Sequence, residues 1–166
     1  MNLFDELTGL FSNAAGSQHT PTDEYYHGQT GRIDRLCRQL GWSVNERDGK
    51  NTELHFTDAL GKTRLVFIFG DDEPLVTFAV YSFAILPLSK VPEQVLGHLL
   101  RQNSELLQPA WQVGVNENDE LLFSLRYCAL GEGLTAATLK YLCETMLTEV
   151  VTFDIKMHKA GLLSLT

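Results

Sequence analysis

Five histidines, three cysteines, two acidic clusters, one Gly-rich turn and one arginine trio are the residues from which this chain could build chemistry. His19, His27, His55, His98 and His158 show no HxxxH-like spacing and no Cys or carboxylate companion at the spacing that gathers ligands around zinc. Cys37, Cys128 and Cys143 are too scattered for a disulfide framework and carry no nucleophile signature, so buried or half-buried thiols in a reducing compartment are expected. Asp71-Asp72-Glu73 and the stretch Glu117 to Glu120 fall at turns. Neither has the alternating oxygen ligands and bend glycine of a calcium loop. Gly131-Glu132-Gly133 precedes a helix, where backbone N–H groups can hold a phosphate. It matches no nucleotide-binding loop, however, and Glu132 would repel an anion. No GxSxG is present. The expectation is a non-enzyme with no metal and no cofactor.

Charge and length narrow the class further. The chain has 166 residues, 44% of them apolar, which suits one globular domain and neither a disordered nor a fibrous protein. Thirteen basic against 21 acidic residues give a net charge of −8. Arg32, Arg35 and Arg38 do line one helix face, but that balance opposes phosphate approach, so no nucleic-acid partner is expected. The arginines are expected to face solvent or acidic groups of another protein. The apolar run Leu75–Leu88 is broken by Thr77, Ser82 and Pro87 and falls short of the ~20 residues a bilayer needs. No Lys or Arg precedes Arg32, whereas a secretory leader starts positive. A cytoplasmic protein with no membrane contact is expected.

The elements that would position these groups follow from periodicity. Residues 2–11 carry Leu3, Phe4, Leu7, Leu10 and Phe11 on one helical stripe, with Asn2 as N-cap. Residues 12–31 lose periodicity. Positions 1–30 are therefore expected to be an amphipathic helix plus an arm, and 31–166 a single α+β domain. A helix is predicted from Thr30 to Leu40, ended by Gly41. Strands follow at 42–47, 52–57, 63–69 and 75–83, the first two joined through Asp48-Gly49. The last two are apolar on both faces and so must be covered on both, by helices or a second subunit. Pro92 opens a helix reaching Leu107. Strands at 111–115 and 121–128 follow, and Thr135 caps a final helix to about His158. That helix spaces Leu139, Leu142, Met146, Val150, Phe153 and Met157 as a short heptad seam, facing either the core or another subunit. The predicted order is α-α-ββββ-α-ββ-α, an antiparallel sheet packed with helices.

His98-Leu99-Leu100-Arg101-Gln102-Asn103 closes a helix on an asparagine. It leads into Trp111-Gln112-Val113-Gly114-Val115, then Leu121-Leu122-Phe123-Ser124-Leu125-Arg126, Leu134 and the long last helix. This pattern resembles the type III secretion chaperone-like proteins, including the YbjN-type bacterial regulators and the class I Tir-type chaperones, over about residues 31–156. The resemblance implies a small α+β sandwich, commonly a homodimer, that binds a protein segment without catalysis. No catalytic residue carries over from it. Asn103 is expected to end its helix or bond nearby backbone.

The expected function is thus a chaperone-like or regulatory module that binds an apolar segment of a protein client, with a small-ligand sensor as the alternative. Val95, Leu96, Leu99 and Leu100 are the candidates for self-association. Leu54 and Phe56 are the candidates for client binding. Leu3, Phe4, Leu7, Leu10 and Phe11 would cap the protein's own groove or dock on a partner.

Overall fold

Alternation of apolar side chains over residues 51–87 builds the centre of the fold. The structure, a computed structural model, describes residues 12–13, 28–48, 51–58, 60–70, 74–105 and 109–164. In chain order these form β1 (Ser12–Asn13), α1 (Gly28–Gln39), β2 (Glu46–Asp48), β3 (Asn51–Thr57), β4 (Thr63–Phe69), β5 (Leu75–Pro87), α2 (Glu93–Glu105), β6 (Ala110–Val115), β7 (Glu120–Leu130) and α3 (Ala136–Lys159). The strands make one antiparallel sheet in the order β1-β3-β4-β5-β7-β6, and β2 shares the outer edge of β3 with β1. The fold is α+β.

One face of this sheet is dry. Leu54 and Phe56 of β3, Val66 and Ile68 of β4, Val76, Phe78 and Val80 of β5, and Phe123 and Leu125 of β7 are buried there. The seam of α3 lies against them through Leu139, Met146, Val150 and Phe153, so it faces the core of its own chain. Helix α1 adds Ile33 and Cys37, and α2 adds Val95 and Leu99. Thr135 caps α3 by accepting from the Thr138 backbone N–H at 3.1 Å. Gly41 and Gly161 end α1 and α3 in the left-handed conformation, at φ 70° and 71°. Each allows the two carbonyl-satisfying bonds of a Schellman turn, from Gly41 and Trp42 in the first case and from Gly161 and Leu162 in the second.

The elements depart from expectation in four places. Residues 42–45 precede the strand rather than belong to it. Trp42 turns onto Phe56, ring centroids 5.0 Å apart, and the Asn45 side chain accepts from the His55 backbone N–H. β5 runs on to Pro87 because Ala84 and Leu86 continue its inward alternation past a bulge between Tyr81 and Ile85. Ser12–Asn13, within the expected arm, pairs with Thr57 and Phe56, and α1 starts at Gly28 rather than Thr30. The predicted helix of residues 2–11 lies outside the described residues.

The bulge is held by buried charge. Asp154 of α3 accepts from Arg64, from the Ser82 hydroxyl and, at 3.2 Å, from the Phe83 backbone N–H. Ser82 in turn accepts from the Ala84 backbone N–H at 2.9 Å. The Nε of Arg64 donates to Asp58 at 2.8 Å, and Asp58 also accepts from the backbone N–H groups of Leu60 and Lys62. Phe83 covers the guanidinium, whose central carbon lies 3.7 Å from the ring centroid, a cation–π arrangement. Arg64, Asp58 and Asp154 are all essentially inaccessible to solvent. Removing Arg64 strands two carboxylates in a dry site, which costs far more than the pairs themselves contribute. Arg64→Met is therefore expected to lower unfolding free energy by about 3–5 kcal/mol in urea titration. A loss under about 1 kcal/mol, the worth of an exposed pair, would contradict this reading.

Candidate functional site

Among the described residues the helices cover one sheet face only. The opposite face carries the alternate positions: His55 beside Leu65, Glu53 beside Phe67, and Asn51 beside Phe69. Farther across, Leu75 pairs with Leu130, Thr77 with Cys128, Ala79 with Arg126, Tyr81 with Ser124 and Ile85 with Leu122. Apolar groups run along it from Leu75, 41% exposed, and Leu130, 61%, to Ile85, 51%. Its centre is aromatic. Phe67 stacks on Phe69 with centroids 6.3 Å apart and meets Tyr81 edge-on at 5.7 Å. Small Ala79 and Ser124 are buried on this face, and Arg126 donates to the Tyr81 hydroxyl at 3.2 Å.

Phe67, Phe69 and Tyr81 floor an open cleft of about 380 Å³ whose rim holds Glu46, Asn51 and Glu53. Pairing of Glu46 with Glu53, and the two-residue step to His55, brings ligand-type atoms of all three within 4.8 Å of one another. These three could hold a divalent cation, one donor short of a closed tetrahedral site. Without a cation, His55 and Glu53 bond directly. The sequence reading missed this group because Glu46 is remote from the other two until β2 folds back on β3. The one local signal is Glu53-Leu54-His55, an i, i+2 step on a strand, which puts both side chains on one face.

The structure sorts the anticipated residues by face. Leu54 and Phe56 point into the core at 0% and 1% exposure, so they offer nothing to a client. The exposed side of β3 is the other one, with Glu53 and His55. On α2, Val95 and Leu99 are buried while Leu96 and Leu100 face out, Leu100 at 70%. Val113 and Val115 are also exposed on β6, the edge strand beside α2. Leu3, Phe4, Leu7, Leu10 and Phe11 lie outside the described residues. Asn103 does bond backbone: its side-chain N–H donates to the Trp111 carbonyl at 3.0 Å and its oxygen accepts from the Trp111 N–H at 2.6 Å. That bidentate clasp joins the end of α2 to the start of β6. Arg32 departs from the expected outward face, donating to the carbonyls of Glu132 and Leu134, so the Gly-rich turn is an acceptor for arginine. Cys37 and Cys143 are buried and Cys128 is exposed; burial pushes the Cys143 thiol well above its ordinary range.

A second recess of about 360 Å³ separates α2 from the end of α3, lined by Val95, His98, Phe153, Lys156 and Met157. The Lys156 ammonium stands 3.4 Å from the His98 ring nitrogen. Partial burial, and then the positive charges of Lys156 and Arg101, hold His98 below its ordinary pKa, against a smaller opposing pull from Glu105. Burial raises Glu149 on α3, partly offset by Lys156.

The chain matches no family model and no curated protein at a significant level. Solved structures do share its fold. YbjN of E. coli, described as a proposed transcription regulator, aligns with TM-score 0.61 and 13% identity, covering 85% of this chain and 98% of that one. A chain of the HopA1–SchA chaperone–effector complex aligns with TM-score 0.55 and 16% identity, covering 81% and 98%. The chain thus shares the fold of YbjN and of that chain of the chaperone–effector complex.

The recess between α2 and α3 gives a pH signature. Folded His98 holds its proton less tightly than the unfolded chain does at its ordinary value of 6.5. As pH falls through that value the unfolded chain takes up the proton first, so the histidine's contribution, intact above it, is lost on acidification. Urea midpoints at about pH 7.5 and about pH 5 should therefore differ less in His98→Gln than in the parent protein. Equal losses in the two proteins would refute the assignment.

Proposed function

We propose that this protein is a non-enzymatic, cytoplasmic, chaperone-like or regulatory module that binds an apolar segment of a partner protein. The observation that carries the proposal is the open sheet face. Phe67, Phe69, Tyr81, Ile85, Leu75 and Leu130 form a run of apolar and aromatic groups that no described helix covers. Extensive apolar surface of this kind marks interaction sites, and aromatic anchors dominate their energetics. Glu46 and Glu53 beside the aromatic floor, with a net charge of −8, favour a segment that carries basic residues next to apolar ones. One of the structures sharing the fold is a chaperone–effector complex, which supports the same reading.

Self-association is proposed at a different place. Leu96 and Leu100 project from α2 beside edge strand β6, whose Val113 and Val115 are exposed, and together they would form a two-fold apolar contact. This leaves the open face free in a homodimer.

The cleft over Phe67 and Phe69 gives the small-ligand alternative its one support. A single design separates the two readings. Phe67→Glu places charge on the open face, and Leu100→Glu places it on α2. Partners captured from native lysate by crosslinking should be lost with Phe67→Glu and retained with Leu100→Glu, while Leu100→Glu alone converts dimer to monomer in sedimentation. Circular dichroism checks that both variants fold. Equal capture by the parent and Phe67→Glu proteins would overturn the assigned face. A metabolite that raises the melting temperature of the parent and not of Phe67→Glu, with no partner captured, would establish the ligand reading.

A further inference from the structure

The open face has one end next to which the chain's own N-terminal segment must emerge. Ser12 pairs with Thr57, the last residue of β3, and Thr57 pairs with Thr63, the first of β4. Because β1 runs antiparallel to β3, the residues before Ser12 leave the sheet at this end. The apolar groups of the open face at the same end are Leu65, Tyr81, Ile85 and Leu122. The β4–β5 register continued by one residue sets Leu65 beside Tyr81, and Ile85 pairs with Leu122.

Length and pattern then match the gap. Three strand-to-strand steps separate β1 from β5, about 14 Å at the usual sheet spacing, and ten helical residues span about 15 Å. Residues 2–11 hold five large apolar side chains, Leu3, Phe4, Leu7, Leu10 and Phe11, on a single helical stripe. Glu6 borders that stripe and Asp5 lies on the opposite side of such a helix. A segment of the right length and one-sided apolarity is thus tethered at the edge of an uncovered apolar surface.

We infer that residues 2–11 fold back in cis as an amphipathic helix across β3, β4 and β5, covering the Leu65, Tyr81, Ile85 and Leu122 end of the open face. The tether makes this docking intramolecular, so its effective concentration far exceeds that of any second copy at ordinary protein concentrations. The other end of the face, around Leu75 and Leu130, stays open. The inference stands on this chain alone and holds whether or not a partner protein also uses the face.

The test uses the purified full chain with a photo-crosslinking phenylalanine analogue in place of Leu7, made in light and heavy-nitrogen forms and mixed. Crosslinks within one copy to peptides covering residues 63–69, 79–87 or 120–126 are expected. They should fall at least tenfold in Ile85→Glu, which alters an exposed side chain and should still fold by circular dichroism. Amide exchange gives a second reading: removing residues 1–11 should speed exchange in β4 and β5 and leave α3 unchanged. Crosslinks joining light to heavy copies would overturn the inference in favour of a second copy as occupant. Crosslinks to helices α1–α3, or to nothing, with unchanged exchange on truncation, would overturn it outright. Because no partner is present, these outcomes leave the partner-binding proposal to its own experiment.

Discussion

The bulge in β5 is tied to the carboxylate of Asp154 on α3. Between Tyr81 and Ile85 the ladder to β7 slips, and the Phe83 N–H and the Ser82 hydroxyl are left to find partners inside a dry core. A buried polar group without a partner costs roughly 1–3 kcal/mol, and a buried unpaired charge costs more. Asp154 satisfies both groups, and Arg64 is shared between Asp154 and Asp58, which also shapes the turn from β3 into β4. One connected set of side chains thus fixes α3 against the sheet, bends β5 and sets the start of β4. Carrying β5 on past the bulge is what pairs Ile85 with Leu122 on the open side.

The consequence for function is an asymmetric sheet. Helices need only one face to bury their stripes, and α1, α2 and α3 all contribute to the same core. The other face keeps apolar residues that a solvated antiparallel sheet would replace with polar ones. Phe67, Phe69 and Tyr81 shelter Ala79 and Ser124 and partly bury one another, which lowers the cost of their exposure without covering them. Such a surface is suited to taking another polypeptide segment, whether from a partner or from the same chain. Its acidic rim at Glu46 and Glu53 biases what can approach.

Much of the architecture was legible in the residues. The stripes of α1, α2 and α3, the Gly41 stop, the Thr135 cap and the paired alternation of β4 and β5 are all local patterns, and the structure contains each of them. The two-sided apolarity of β4 and β5 led to the expectation of cover on both faces, and the described helices cover one of them. What misled was the choice of face on β3. Leu54 and Phe56 are its most apolar residues, and for that reason they went to the core rather than to a client. Likewise Val95 and Leu99 turned inward and left Leu96 and Leu100 outside, since one helix cannot present four such positions to two neighbours at once.

By itself the sequence determined most of the helices and strands among the described residues, and that no familiar catalytic motif is present, because these depend on neighbours within a few residues. Only the tertiary structure decided which side of the sheet the helices take, that Arg64 meets Asp154 across 90 residues of chain, and that Glu46 joins Glu53 and His55. It also decided that Arg32 closes on a distant turn instead of facing solvent. Those outcomes turn on burying the largest apolar area while leaving no charge unpaired, a condition on the whole chain that no local window contains.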